Sequence, residues 1–575
     1  MENRQLAAVF RRLADLLEIR GEVVYKVLAY RRVADSLEAL PFEAQRYWQE
    51  GRLREIPGVG EAIEEKLDEL LRTGRLGFLE RLEAEVPPTL TEWLRVPGLG
   101  PKRVGTIWRA LGIATLEELE EAARQGRLRH LPGFGARTEA NILAGLEALK
   151  RSHGRIPLGQ ALPLAERILE ELRHVPGVVR VEMAGSLRRM RSTVGDIDLL
   201  AAASHPEALM EAFVRLDGVV RILAQGETKS SVEFFDGLRA QLWVHPPERF
   251  GSAWQYATGS KDHNVRLRER ALARGFSLSE HALTRLSDGV EILCANEEEV
   301  YAALGLPWIP PELREDRGEI EAAERGNLPH LIEIGDIQAE LQTHTTWSDG
   351  RLSVLEMARA ARRRGRRVLA ITDHSAGLGV TGGLRAEQHE ALQREIEAAQ
   401  QEMGDSLLIL HGAEVEIRAD GSLDYPDELL ARLDLVIASL HTGLNQPRER
   451  VTARLLAAIR NPHVDLIGHP SGRLFPDRPG ADLDMEAILQ AAAEHGVVLE
   501  INAHPSRLDL DDIYARAAAE RGVLLSINTD AHSESDLDLL RYGVAIARRA
   551  WLTPQQVINT WSPARLQEWL RKRGR

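Results

Sequence analysis

At 575 residues the chain is too long for one hydrophobic core, so three to five domains are expected. No apolar run approaches the roughly 18 residues of a membrane span, the charged N-terminal stretch reads as a helix and not a signal peptide, and the single cysteine, Cys294, excludes an internal disulfide and suits a reducing cytoplasm. The net charge of −14 argues against a surface coated in nucleic acid, so any polyanion contact must rest on local basic runs and backbone N–H donors.

Residues 1–150 carry one-sided helical patterns, with apolar positions three and four apart at Leu13, Leu16 and Leu17 and again at Ile63, Leu67, Leu70 and Leu71. A Pro-Gly-x-Gly motif recurs at Ile56–Gly60, Val96–Gly100 and Leu131–Gly135, each time between two helical stretches. Its glycines (Gly58 and Gly60, Gly98 and Gly100, Gly133 and Gly135) allow a tight turn into a helix N-terminus whose N–H groups can hold a backbone phosphate. One copy would be an ordinary helix–helix turn. Three copies resemble helix-hairpin-helix elements, which grip the DNA backbone without reading its sequence.

Residues 151–245 change character. A helix is expected over Pro163–Leu172, then strands over Val178–Met183, Ile197–Ala202, Ser231–Phe235 and Ala240–Val244, with Asp236-Gly237 as a hairpin signal. Within them Ala184–Leu200 reads AGSLRRMRSTVGDIDLL. Asp196 and Asp198 alternate on a strand and so share a face, which calls for a cation between them, and Mg²⁺ takes oxygen ligands while leaving room for phosphates. A D-x-D pair alone would equally fit a solvated strand edge. The Gly185-Ser186 turn and the Arg189 guanidinium add phosphate donors.

This constellation resembles the palm of the nucleotidyltransferases and, within them, the family X DNA polymerases. The resemblance implies that Gly185, Ser186, Arg189 and Gly195 hold the deoxynucleoside triphosphate (dNTP), and that Asp196 and Asp198 are catalytic ligands for Mg²⁺ or Mn²⁺. The family's third aspartate lies seventeen residues before Thr-Gly-Ser; counting back from Thr258-Gly259-Ser260 gives Gln241. Gln241 keeps a carbonyl oxygen and loses a charge, so binding should survive better than the chemical step. Whether Glu233 on the preceding strand faces the site is open. The thumb-like stretch that follows implies nucleotide contacts at Tyr256, Gly259 and Asn264 and a DNA contact at Arg268, with Ala257 in place of an aromatic residue. Lys66 matches the family's lyase nucleophile, with Lys26 and Tyr30 in its phosphate pocket, but Ala62 replaces a further lysine; a surface lysine is the plainer reading. The charged stretch Glu312–Asn327 reads as a helical linker or as one more thumb helix.

In the last 240 residues, apolar runs end repeatedly in histidine or acid: LAITDH at His374, LVIASLH at His441, VDLIGH at His469 and LLSINTDAH at Asp530 and His532. Helical stretches such as Leu355–Arg363 and Met485–Glu494 separate them, implying β/α units whose strand ends converge on one rim. His, Asp and Glu without cysteine suit Zn²⁺, Mn²⁺ or Fe²⁺. These residues resemble the polymerase-and-histidinol-phosphatase (PHP) domain, a distorted seven-stranded β/α barrel. Eight of its nine ligands are matched by His344, Asp349, His374, Glu414, His441, His469, Asp530 and His532; Gln342 stands at the ninth. The resemblance implies up to three Zn²⁺ or Mn²⁺ ions with Glu414 as a bridge, and Arg507 near the rim as a phosphate holder.

The expected architecture is multidomain α+β and α/β: a helical lyase-like domain over 1–80, helix-hairpin-helix fingers over 81–150, palm over 151–245, thumb over 246–315, linker over 316–335 and barrel over 336–575. The resemblance implies a cytoplasmic DNA repair enzyme acting on gapped or nicked DNA with dNTP, with no membrane partner, its oligomeric state left open and a monomer expected. It would join gap-filling nucleotidyl transfer to a 3′→5′ exonuclease or a 3′-end or abasic-site phosphodiesterase. The alternative is a palm weakened by Gln241, with the barrel as the main activity.

Overall fold

The computed structural model describes all residues except 1–2, 41–43, 97–98, 152–154, 235–237, 378–381, 476–477, 479 and 573–575. Gly98 and the Asp236-Gly237 turn therefore lie outside the described residues. The chain divides into two compact units. No helix among the described residues is long and apolar enough to cross a membrane.

The first unit holds residues 1–155 with 217–225 and 231–239. Its helices include Asn3–Arg20, Val24–Ala39, Glu61–Thr73, Pro101–Leu111 and Ala136–Arg151. Leu6, Phe10, Leu13, Leu67, Leu70 and Trp93 belong to one buried core, so the three-and-four spacing marks the inward faces. Each Pro-Gly-x-Gly motif runs directly into a helix: Gly60 precedes Glu61–Thr73, Gly100 precedes Pro101–Leu111, and Gly135 precedes Ala136–Arg151. Gly58 and Gly133 sit at φ of 86° and 78°, a left-handed backbone that a side chain would strain. A strand over Val219–Gln225 was not expected: its apolar Val220 and Ile222 face solvent while Arg221 is half-buried, so apolar and polar positions do not alternate as in an ordinary half-buried strand.

The second unit holds residues 156–216, 226–230 and 240–575. Strand Val178–Met183 pairs antiparallel with Ile197–Ala203, which runs parallel to Arg239–His245. That register sets Asp198 directly opposite Gln241. Helix Leu158–Arg173 starts five residues before Pro163, so the proline lies in its interior. Helices Phe250–Thr258 and Lys261–Ala273 follow. The charged stretch expected over 316–335 as a linker is not a free spacer. Ile320, Ala323 and Leu331 pack into one core with Leu267, Tyr301 and Leu313, Arg314 and Glu319 are buried in ion pairs with Glu297 and His263, and half-buried Glu315 pairs with Arg189. Of the two readings of the charged stretch, linker or further thumb helix, this packing favours the second.

The rest of the unit is a seven-stranded parallel sheet whose strands lie side by side in chain order, from Ala339–Glu340 through Val368–Ile371, Leu408–Glu416, Leu435–Ser439, Leu466–Gly468 and Val498–Asn502 to Leu525–Asn528. A parallel bridge between Thr343 and Ala531 joins the last strand's end to the first's, nearly closing a barrel. Helices Val354–Arg363 and Met485–His495 stand where the periodicity placed them. The central strands are buried throughout, as parallel strands covered on both faces must be.

Candidate metal centre and nucleotide site

In the palm, Gly185–Arg188 forms one helical turn against strand Ile197–Ala203. Gly185 has φ 59°, and a Cβ there would fall 2.0 Å from Asp198 Oδ2, so only glycine lets the turn lie this close to the carboxylate. Asp198 is pushed up to about 6, first by burial and then by neighbouring Asp196. Two carboxylates that resist ionising together form a site that a divalent cation would relieve. Ser186 and Asp196 are half-buried and Gly195 is exposed. Arg188 is consumed by Glu297, at 2.6 and 2.7 Å, and by the Thr258 hydroxyl. Arg189 donates to Glu315 at 3.1 Å and to the Thr258 carbonyl. Gly259 lies beside it, where a Cβ would come 3.1 Å from its Nη1.

Not every expected residue points outward. Asn264 donates to the Tyr256 carbonyl at 2.8 Å and accepts from Gln255 at 2.8 Å, so its amide ties the two thumb helices together. Arg268 is exposed, its Nε on the Asn264 carbonyl. Glu233 is buried and receives Arg221 at 2.7 Å, a structural pairing. In the first unit, Lys66 Nζ donates to the Ala62 carbonyl at 2.8 Å and lies 5.2 Å from the centre of the Phe78 ring, with Lys26 5.9 Å from the same ring. Burial, helped by Lys26, lowers the Lys66 ammonium below the ordinary lysine range. Tyr30 stacks on Phe78 at 6.5 Å.

The barrel rim brings all eight predicted ligands together. Glu414 sits at the centre: its Oε1 lies 3.0 Å from His469 Nε2 and 3.4 Å from His441 Nε2, and its Oε2 lies 3.0 Å from His374 Nδ1 and 3.5 Å from His344 Nε2. His344 Nε2 is 3.0 Å from Asp530 Oδ1, and Asp349 Oδ1 is 3.2 Å from His532 Nε2 and 3.7 Å from His374 Nε2. Two atoms bonded tetrahedrally to one ion at about 2.1 Å stand about 3.4 Å apart, which these spacings match. Three overlapping groups result: His344, Asp349, His374 and His532; His374, Glu414 and His441; His344, Glu414 and Asp530.

The donor set fits divalent cations on a second count. Both nitrogens of His344 and His469, both oxygens of Glu414 and His441 Nε2 are buried and make no hydrogen bond within the protein. So many buried polar atoms without partners would be costly unless an ion satisfied them. Burial would raise Glu414, yet the imidazoles of His374 and His441 hold it well below the usual carboxylate range. His469 and Asp530 adopt φ of 25° and 55°, left-handed conformations that non-glycine residues hold chiefly where function requires them.

A further layer of acids aims these ligands. Glu416 accepts from His441 Nδ1 at 2.8 Å and from the Thr442 hydroxyl at 2.7 Å, which presents His441 Nε2 to Glu414. Asp373 takes Thr345 N–H, Thr345 O–H and Ser348 O–H, each at 2.7 Å, and fixes the loop between His344 and Asp349. Glu500 takes the His469 N–H at 2.6 Å, and Asn502 donates to Asp530 at 3.2 Å. None of these was named from the sequence. Glu416 was findable: in Glu414-Val415-Glu416 the period of two places both acids on one face. Replacing Glu416 by Gln should weaken metal binding by roughly 10–100-fold while the fold persists, checked by metal titration with thermal melting.

Gln342 stands where the resemblance leads one to expect a ninth ligand. Its Nε2 approaches Asp530 at 3.5 Å, and its Oε1 is buried without a partner. Arg507 lies 3.6 Å from Asp530 with a buried Nη1 that makes no hydrogen bond, as an anion holder requires.

Four family models match: a helix-hairpin-helix domain at residues 1–76, a SAM-like helix-hairpin-helix tandem at 90–148, the DNA polymerase beta thumb at 253–315 and the PHP domain at 340–504. The chain is 37% identical over 574 residues to the DNA polymerase/3′-5′ exonuclease PolX of Bacillus subtilis (strain 168), covering 100% of both chains. The chain belongs to the bacterial PolX branch of the family X DNA polymerases. A probable phosphatase of Thermoanaerobacter sp. (strain X514) is 34% identical over 254 residues, 41% of this chain and 96% of that protein. DNA polymerase lambda of Arabidopsis thaliana is 26% identical over 347 residues, 54% of this chain and 62% of that protein. PolX membership implies divalent metals at both sites and DNA as the macromolecule bound.

Proposed function

We propose that the chain is a DNA repair enzyme that pairs templated gap filling in the palm with metal-dependent hydrolysis of DNA ends in the barrel. The observation that carries it is the convergence of eight His, Asp and Glu side chains at the rim, spaced for ions, with the ligand atoms of His344, Glu414, His441 and His469 buried and without hydrogen bonds in the protein. His344, Glu414 and Asp530 would hold one ion, Glu414, His441 and His469 a second, and Asp349, His374 and His532 a third, with Zn²⁺ or Mn²⁺ suited to the donors. Asp196 and Asp198 would hold Mg²⁺ or Mn²⁺. Such ions, when bound, polarise a phosphodiester or triphosphate and lower the pKa of the attacking water or hydroxyl. The protein's own groups position the rest: the Gly185-Ser186 turn and Arg189 for the triphosphate, Arg507 for a DNA phosphate at the rim.

DNA enters this reading through the three glycine turns. The second is the most favourable, because Lys102 and Arg103 follow Gly100, whereas Glu61 and Glu64 open the helix after Gly60. The proposed division is that of the sequence: lyase-like domain, fingers, palm, thumb and barrel. The substrate would be gapped or nicked DNA in the cytoplasm, acted on by a monomer. A second reading, in which hydrolysis dominates, is favoured by Gln241 standing opposite Asp198.

The deciding assay is a duplex with a one-nucleotide gap, supplied with the complementary dNTP and Mn²⁺. Wild type should both extend and shorten the primer, and His344→Ala should only extend it. Shortening that survives His344→Ala would remove the barrel from the proposal. If the gap also carries a 5′-deoxyribose phosphate, borohydride should trap a Lys66 adduct that Lys66→Ala lacks; no adduct in wild type would dismiss the lyase role.

A further inference from the structure

The barrel helix Leu540–Arg549 ends in a guanidinium that belongs as much to the palm as to the barrel. Arg549 is 2% exposed. Its Nη1 donates to the backbone carbonyl of Arg189 at 2.7 Å and to Glu315 Oε1 at 2.9 Å, and its Nη2 donates to Asp512 Oδ2 at 2.9 Å. The same Glu315 oxygen receives Arg189 Nε at 3.1 Å, and its partner oxygen receives Arg191 Nη1 at 3.4 Å. Arg317 closes the chain on Asp512 at 2.8 Å. Arg549 thus holds Arg189 twice, directly at its main chain and through Glu315 at its side chain. The next residue, Met190, sits at φ 53°, so the turn that delivers Arg189 is a conformation needing outside support.

The charge count matters too. Arg189, Arg191, Arg317 and Arg549 share two carboxylates, Glu315 and Asp512. A half-buried group with more guanidinium than carboxylate favours an added anion beside its most accessible members.

We propose that Arg549 is a positioning residue for the nucleotide site: a barrel side chain sets the orientation of the palm arginine that receives the triphosphate. This rests on the reading of Arg189 as that arginine. Barrel and palm are then coupled through the phosphate end of the nucleotide.

The test measures equilibrium binding of dATP and of dAMP to the full chain, on gapped DNA with a dideoxy-terminated primer and template T, with Ca²⁺ as the ion. Arg189→Met should weaken dATP and leave dAMP nearly unchanged. Arg549→Met should weaken dATP roughly tenfold, the weight of one hydrogen bond to a charged group, with dAMP within about twofold. Arg549→Lys keeps the charge but not the fork and should fall between, which serves if the Met variant folds poorly. Barrel hydrolysis of bis(p-nitrophenyl) phosphate should stay near wild type in both Arg549 variants. Wild-type dATP affinity in Arg549→Met or Arg549→Lys, or equal loss of dATP and dAMP, would overturn the proposal. If Arg189→Met itself binds dATP normally, the palm reading fails first and the proposal with it.

Discussion

Glu414→Gln should reduce metal-dependent hydrolysis of DNA 3′ ends by at least on the order of 10³-fold, while dNTP insertion in the palm is retained. The change conserves volume and removes one charge, so it isolates electrostatics. Glu414 is the acid shared by two of the three ligand groups, and its oxygens lie 3.0 Å from His374 and from His469. Burial opposes the carboxylate form and the surrounding imidazoles favour it, which makes it the natural counter-charge for two cations. An amide in its place offers one neutral oxygen and turns an N–H₂ toward another ligand or ion. The measurement is end-labelled primer shortening together with metal content per chain. Full metal occupancy and normal shortening in Glu414→Gln would sink the shared-ligand view of the barrel.

Gln241→Asp should raise gap-filling by about 10²–10⁴-fold, the range for restoring a positioned acid–base group. Strand pairing puts position 241 opposite Asp198, so the new carboxylate would complete a trio without any movement of backbone. The sign of its effect on stability is the opposite. Asp198 is already raised to about 6 by burial and by Asp196, and a third acid increases that repulsion. A group whose pKa is raised on folding destabilises as it ionises, so the metal-free variant should melt lower than wild type above about pH 6, and the difference should shrink at lower pH or on adding Mg²⁺. Single-turnover insertion and melting curves across pH read both effects. Equal insertion by wild type and variant would show that Gln241 already suffices.

Much of this was legible because the chemistry follows strand endings. A buried parallel strand is a run of Val, Leu, Ile and Ala, and what stands just beyond it is unprotected by packing; His374, His441, His469 and Asp530 announce themselves there. The D-x-D pair was legible from the strand period of two and Gly185 from the Gly-Ser turn; the close approach of Gly185 to Asp198 came only with the structure. What escaped was long-range. Glu315, Asp512 and Arg549 look like solvated charges in sequence, and nothing local says that they meet. Asp373 and Glu500 are explained only by their distant partners, Thr345 and His469, whereas Glu416 was within reach of the period-two pattern from Glu414. The strand Val219–Gln225 was not legible because its apolar side chains Val220 and Ile222 face solvent, and the 316–335 segment stayed open between linker and thumb helix because its few apolar residues are diluted by charge.

The strand order of the barrel has a bearing on its biosynthesis. Each strand pairs with the one made just before it, so the sheet can grow as the chain emerges, yet His344 follows the first strand while Asp530 and His532 follow the last. The Thr343–Ala531 bridge that unites them forms only after the seventh strand is in place. A chain that ends before the seventh strand therefore lacks Asp530 and His532, the late ligands of two of the three ion groups.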